Sequence, residues 1–462
     1  MGIPRLGRPF LIYESSLQQE VLLPPEHVKW FATQTDGLLS SAEIRMERHA
    51  IRYLHAGVPF GPSSQFIEKV LRESLTRNLP AIQGPVYEEV ERSISRVFGA
   101  TETDEWRTLN LYEAVQDMTF PAMSRVFFGL QLSRNENLLR SFKLYCAAMG
   151  LGTVVVGQLP RVLKRVVVPI FNLPLWYFRR KTLSYLTPAI ERVHTGSESG
   201  PESKCHDTYD FFQQCVQTSA KLSGAHNNVD SATLAEYVMV VCFTGLLSQV
   251  TQTSNLILDL ATCSPEKHLL QSLREEVTAV IRDEQDWKNP DIFKNSLPLA
   301  DSTIRESLRC HPILIKGLTK EVVSPKGVEL PDGTQMAQGS WLGIPVLGIH
   351  MDERFYNDPK VFNPFRFVGP PKEEKLEPAE QIAAARPTNI YFGFGYGRHA
   401  CPGRWFAVLM LKMMLAYITL NYDIESVGPP PKMKVIGDAA LPPIAATIRV
   451  RRRKRGGVSN GE

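Results

Sequence analysis

Apolar residues recur at three- and four-residue spacing from about residue 37 to 310, and this periodicity predicts helices over 64–78, 84–98, 108–126, 136–149 and 176–194. The longest such pattern runs from Ser231 to Thr262 without a proline. Fully helical, it would be about 48 Å long and would cross the whole molecule. After Pro312 the texture changes to short β-like stretches, and Val328 to Thr334, which contains Pro331-Asp332-Gly333, reads as a hairpin. The stretch 369–388 is irregular, a last helix is predicted over about 402–419, and β-like segments follow. No internal repeat or linker-like tract interrupts the chain. The expected fold is therefore mainly α with small β-sheets, a single domain over 37–448 preceded by a hinge and β-like segment at 1–36.

Composition narrows the class. The 462 residues are 43% hydrophobic and 22% charged, which excludes a disordered chain and a polytopic membrane protein. Most of the net charge of +4 sits at the end, in Arg449, Arg451, Arg452, Arg453, Lys454 and Arg455, so 449–462 reads as a basic disordered tail. No aromatic residues interleave with that run, and no nucleic-acid partner is expected. Seven widely spaced cysteines without a CxxC pair exclude a disulfide framework and a zinc site and point to a reducing compartment. No 18-residue uninterrupted apolar stretch is present, and the first residues, Met1-Gly2-Ile3-Pro4-Arg5, lead into a Pro/Gly-containing segment unlike a signal peptide. The segment Leu151 to Phe178 is the most apolar surface candidate, expected to pack in the core, with a membrane-resting patch as the alternative.

The most informative stretch is Phe392-Gly393-Phe394-Gly395-Tyr396-Gly397-Arg398-His399-Ala400-Cys401-Pro402-Gly403-Arg404. Alternating glycines allow tight turns, and Cys401 stands just before a predicted helix start, with Pro402 suited to the first helical position. A thiolate there meets the positive end of the helix and nearby N–H donors, which favour a metal-bound sulfur. From the residues alone, a Gly-rich loop with an incidental buried cysteine remains open. A phosphate-binding loop lacks its Lys-Ser/Thr, and a zinc site from His399 and Cys401 lacks further ligands nearby.

This loop resembles the cytochrome P-450 signature, matching it at Phe394, Gly397, Cys401 and Gly403, with His399 where arginine is commoner. Glu306 and Arg309, at i and i+3 on a predicted helix, resemble the family's Glu-x-x-Arg motif, and Arg366 in Asn363-Pro364-Phe365-Arg366-Phe367 resembles the arginine that joins that pair in a buried triad. Ile349-His350-Met351-Asp352 also looks like the family's stretch ahead of that arginine. The resemblance runs from about Leu75-Thr76 to residue 448, and the family's Trp-x-x-x-Arg motif has no clear counterpart. It implies heme b (iron protoporphyrin IX) as cofactor and Cys401 as the metal ligand. Phe394, Gly395, Gly397, His399, Gly403 and Lys320 are the implied cofactor-binding residues, His399 and Lys320 toward the propionates.

The resemblance further implies a monooxygenase that draws electrons from an NADPH-dependent flavoprotein reductase and uses O2 on a bulky apolar small molecule. A fungal terpenoid or alkaloid intermediate is the expected substrate. Gly245, Ser248 and Thr244 in Thr244-Gly245-Leu246-Leu247-Ser248-Gln249 are the implied catalytic residues of the long helix, although Leu247 replaces the usual acid. Thr244, Ser248, Thr251 and Asn255 recur at helical spacing and give one face hydroxyl and amide groups, unless the hydroxyls simply bond back to their own helix. The missing acid motivates an alternative, a non-oxygenating isomerisation or radical coupling. The expected location is the cytosolic face of the endoplasmic reticulum membrane if an N-terminal anchor has been removed, and the cytoplasm otherwise, with a peripheral membrane contact.

Overall fold

The structure, a computed structural model, describes residues 7–14, 16–54, 66–103, 105–195, 210–223, 229–369 and 383–454. The long apolar pattern forms one helix, Ser231–Thr262, started by Asp230, whose side chain accepts the Thr233 N–H, and buried along most of its length. Around it pack the helices Leu111–Ser133, Glu136–Gly157, Arg161–His194 and Arg404–Asn421. The helices Glu136–Gly157 and Ser231–Thr262 are long and apolar enough to cross a membrane, but both contribute many residues to the core of this fold.

Several predicted boundaries move for local reasons. The helix expected at 108–126 begins at Leu111, because Arg107–Asn110 is a strand and the Asn110 side chain caps the Glu113 N–H. It reaches Ser133 across a kink at Gly129, whose φ of 78° only glycine adopts without strain. The helix expected at 176–194 is Arg161–His194, which accommodates Pro169, Pro174 and Pro188. The expectation that 151–178 packs in the core is wrong for much of this segment. Val162, Val166, Ile170, Leu173, Trp176 and Tyr177 are exposed, while Lys164 among them is buried on Glu47 at 2.7 Å.

The strands are β1 (Phe10–Tyr13), β2 (Gln19–Leu22), β3 (Leu39–Ser40), β4 (Arg107–Asn110), β5 (Gly317–Val322), β6 (Val328–Glu329), β7 (Gln335–Met336), β8 (Trp341–Ile344), β9 (Tyr422–Ser426), β10 (Val435–Ile436), β11 (Ala439–Ala440) and β12 (Thr447–Arg452). One sheet has the order β1-β2-β8-β5-β3, with β2 and β8 parallel. Residues 10–22, read from sequence as part of a separate leading segment, are thus built into the sheet that carries the later strands. The hairpin predicted at 328–334 forms as β6–β7.

The expected tail also needs correction, because Arg449, Arg451 and Arg452 lie in β12, paired with β4 and β9. Their charge is absorbed across strands. Arg449 meets Glu425, Arg451 meets Asp423 at 2.9 Å, and both guanidiniums stack over Trp106 at 4.9 and 4.7 Å. The rest of that run from 455, most of 369–388, residues 196–201, which the sequence reads as a polar loop, and residues 55–62 of a stretch at 53–62 that the sequence reads as pocket-lining lie outside the described residues.

Candidate active site

Cys401 is held in a short connection between a 3-10 turn at Gly397–His399 and the helix Arg404–Asn421, which starts two residues later than predicted. The Cys401 N–H donates to Phe394 O at 2.8 Å, and the Gly395 N–H to Phe392 O at 3.0 Å. Gly395 and Gly397 have φ of 74° and 75°, and a Cβ at Gly397 would come 2.9 Å from Ala32 Cβ, so the loop closes against the helix Val28–Thr33 only with glycine there. Among the described cysteines Cys401 alone is exposed. Burial nevertheless pushes its thiol up, against the opposing pull of the Gly403 and Arg404 N–H groups and the Arg404 charge. The sulfur thus combines an accessible residue with crowded protein surroundings.

The second wall is the central helix. Thr244 is exposed, and Gly245, Leu247, Ser248, Thr251 and Asn255 are half-buried, in a helix whose neighbouring residues Val241–Phe243 are buried. The helix thus keeps one partly open face that carries hydroxyl and amide groups. The three hydroxyls bond back to their own helix, Thr244 Oγ1 to Val241 O at 3.0 Å, Ser248 Oγ to Thr244 O at 3.0 Å and Thr251 Oγ1 to Leu247 O at 2.9 Å. Each oxygen keeps lone pairs with which to accept from a ligand or water. A Cβ at Gly245 would stand 3.2 Å from Met123 Cε, so this glycine admits the helix Leu111–Ser133.

Leu318 supplies an apolar wall. Its φ of 54° is a strained value for a leucine, and its Cδ2 would lie 3.9 Å from a Cβ at Gly395. His399 Nε2 bonds Asp36 Oδ1 at 2.9 Å. Lys320, expected toward a propionate, donates from its ammonium to Phe31 O at 2.9 Å and Gln34 O at 3.5 Å and lies over the Phe31 ring, so here it satisfies carbonyls at the end of the helix Val28–Thr33, where a cation is favoured. Burial lowers its pKa.

Sequence reasoning missed the segment that docks on the cysteine loop from the other side. Arg72 Nη2 donates to Arg398 O at 2.7 Å and Thr76 Oγ1 to Pro402 O at 3.4 Å, from a π-helical stretch at Val70–Leu75. Only Leu75-Thr76 hinted at it.

Behind the loop, Glu306, Arg309 and Arg366 meet. Arg309 Nε and Nη2 each lie 2.8 Å from a Glu306 oxygen with both side chains fully buried, and Arg366 Nε lies 3.0 and 2.9 Å from the same two oxygens. The Asn363 N–H adds a fourth donor at 3.0 Å.

These residues fit a haem. Among the described residues, no group of three or more His, Cys, Asp or Glu could hold a metal ion. A metal taken by Cys401 would therefore have at most two such protein ligands and must bring its remaining ligands with it, as iron in a macrocycle does. The buried Nε of Arg404, beside Cys401, has no partner and is available to an anionic group.

Comparison with known proteins agrees. The family profile described as Cytochrome P450 matches residues 64–448. Cytochrome P450 monooxygenase efuH of Hormonema carpetanum is 48% identical over 448 residues, 96% of this chain and 79% of its own length. Cytochrome P450 monooxygenase fsoD of Humicola fuscoatra is 46% identical, over 97% of this chain and 86% of its own length, and polB of Polytolypa hystricis is 34% identical, over 97% and 87%. These names favour oxygen insertion over the non-oxygenating alternative. The chain belongs to the cytochrome P450 family and is a haem b monooxygenase.

Proposed function

We propose that Cys401 would hold the haem iron through its thiolate and that the enzyme oxidises a bulky apolar small molecule, a terpenoid or alkaloid intermediate of fungal secondary metabolism, with electrons from an NADPH-dependent flavoprotein reductase. The observation that carries this reading is the placement of the one exposed described cysteine in a glycine-rich loop at the start of the helix Arg404–Asn421, which packs on the central helix. Iron protoporphyrin IX held by that thiolate would supply oxygen activation. The chain's own part is to hold the thiolate with the Phe394 carbonyl and the helix start, to present Leu318 and the Thr244–Ser248 face to the substrate, and to position water through the lone pairs of those hydroxyls. Of the implied cofactor residues, His399 would serve the propionate side, and Arg404, whose buried Nε has no partner, would add a further cation there.

The exposed apolar residues of Arg161–His194 supply the basis for a membrane contact. Val162, Val166, Ile170, Leu173 and Tyr177 recur on one helical face, Arg180 lies over the exposed Trp176, and Leu11, Tyr13 and Leu17 of the β1–β2 hairpin add exposed apolar side chains. A membrane-resting face on the cytosolic side of the endoplasmic reticulum would draw apolar substrate from the lipid. Substrate-binding difference spectra against terpenoids, indole alkaloids and polar compounds of matched size test the substrate reading. Spectral shifts are expected with the apolar members, and a response confined to the polar ones would overturn it.

A further inference from the structure

We propose that His350 is a positioning residue for the thiolate, its imidazole fixing the base of the cysteine loop against the Glu306–Arg309 pair. His350 ends the short helix Val346–His350 and is completely buried. Its Nε2 lies 2.9 Å from Phe392 N, and its Nδ1 lies 2.9 Å from Arg309 O. A backbone N–H can only donate and a carbonyl can only accept, so the two partners fix the tautomer, with Nε2 accepting and the proton on Nδ1. The ring is stacked between Tyr391 and Phe392, with centroids 5.9 and 5.7 Å away and planes within 18°. Arg309 completes the grip by donating from Nη1 to the His350 carbonyl.

The connection forward is short. Phe392 O receives the Gly395 N–H, and Phe394 O receives the N–H of Cys401 itself, so the residue held by His350 is the root of the turn that carries the sulfur. Gly393 is locked at the same place, since a Cβ there would come 2.5 Å from Tyr391 Oη and 3.2 Å from Leu308 Cβ on the helix Pro298–Cys310. The imidazole thus ties the root of the cysteine loop to the Arg309 main chain, while the Arg309 guanidinium holds the His350 carbonyl, in the way that outer-shell groups orient metal ligands. Burial drives the His350 pKa down to about 3, which keeps the ring neutral and able to accept.

This inference rests on Cys401 as the iron ligand, and the test separates the two. The full chain is prepared as the wild type, His350→Gln, His350→Asn and His350→Phe, and haem content, melting temperature and the fraction of the reduced carbon monoxide complex with a thiolate-type Soret band are measured. Glutamine places an acceptor oxygen near the Nε2 position and can keep the Phe392 bond, asparagine reaches only the Nδ1 side toward Arg309 O, and phenylalanine keeps the stacking without either bond. The Phe variant is expected to bind haem yet lose about twofold or more of the thiolate-type fraction, with Gln restoring it and Asn falling between. Should the Phe variant fail to fold, the contrast between Gln and Asn carries the test. A thiolate-type fraction equal to wild type in the Phe variant, or equal in Gln and Asn, overturns the positioning role. Absence of the band from the wild type would instead overturn the assignment of Cys401.

Discussion

Leu247 on the central helix packs against Gly150 on the helix Glu136–Gly157, so closely that a Cβ at Gly150 would lie 3.2 Å from Leu247 Cδ1. The position at which the family resemblance implies an acid is here part of a helix–helix contact, while Ser248, the next residue, stays on the half-open face. Gly150→Val is expected to destabilise the enzyme by about 1–3 kcal/mol through overpacking. Leu247→Ala in the same chain should recover part of that, giving a coupling of about 0.5 kcal/mol or more in a double-mutant cycle of denaturant unfolding. Strictly additive effects would contradict the contact.

Ser248 donates its hydroxyl proton to Thr244 O and keeps its lone pairs for a water on the half-open face. Ser248→Ala should leave haem content and substrate affinity nearly unchanged, while product formed per NADPH falls severalfold and hydrogen peroxide rises. The loss should stay below the roughly 10²-fold cost of removing a general acid, since water can still enter. Unaltered coupling with the true substrate would shift the role to Thr244 or Thr251.

Glu14 and Glu20 each lie 2.8 Å from Arg48 Nη2 and both bind Lys316, with Asp438 3.3 Å from Arg48 Nη1. Three acids face two bases in a buried site, and burial raises the Glu20 carboxyl from 4.5 to about 7. A folded value above the unfolded one gives stability that is complete below about 4.5 and is lost as pH rises through about 7, amounting to about 3 kcal/mol on the alkaline side. Denaturant midpoints should therefore fall between about pH 4.5 and 7 in the wild type and level off above that, while in Glu20→Gln, which mimics the protonated acid, this fall is absent. An equal decline in both would rule out Glu20 as the titrating group.

Removing Arg309 does not strip Glu306 of all its partners, because Arg366 and the Asn363 N–H remain. Glu306→Gln should be the more damaging change, leaving two guanidiniums without their anion, at about 3–5 kcal/mol, with Arg309→Ala close behind and the less buried Arg366→Ala mildest. Haem content and thermal midpoint of the three variants measure the order. A mildest effect at Glu306 would refute the shared-anion arrangement.

Which parts of this molecule are legible in its sequence follows from the range of the forces involved. The helix Ser231–Thr262 is legible because its apolar pattern is long, free of proline and started by Asp230. The helix Arg161–His194 is not, since three prolines argue locally against it and only packing on its neighbours sustains it. Cys401 and its glycines are read directly, because a loop fixed by backbone conformation leaves its trace in contiguous residues. Lys320, Arg72 and His350 act through contacts 42 to 326 residues away along the chain. No local pattern records such pairings. The arginines of β12 mislead for the same reason, since their counter-charges sit on the neighbouring strand β9.

The most direct test of the whole account is the spectrum of the reduced carbon monoxide complex in the wild type and in Cys401→Ser. The wild type should show the thiolate-type Soret band, and the variant should lose it, because no other residue of the loop Phe392 to Arg404 offers a soft anionic sulfur. A wild-type band that survives unchanged in Cys401→Ser would contradict the account.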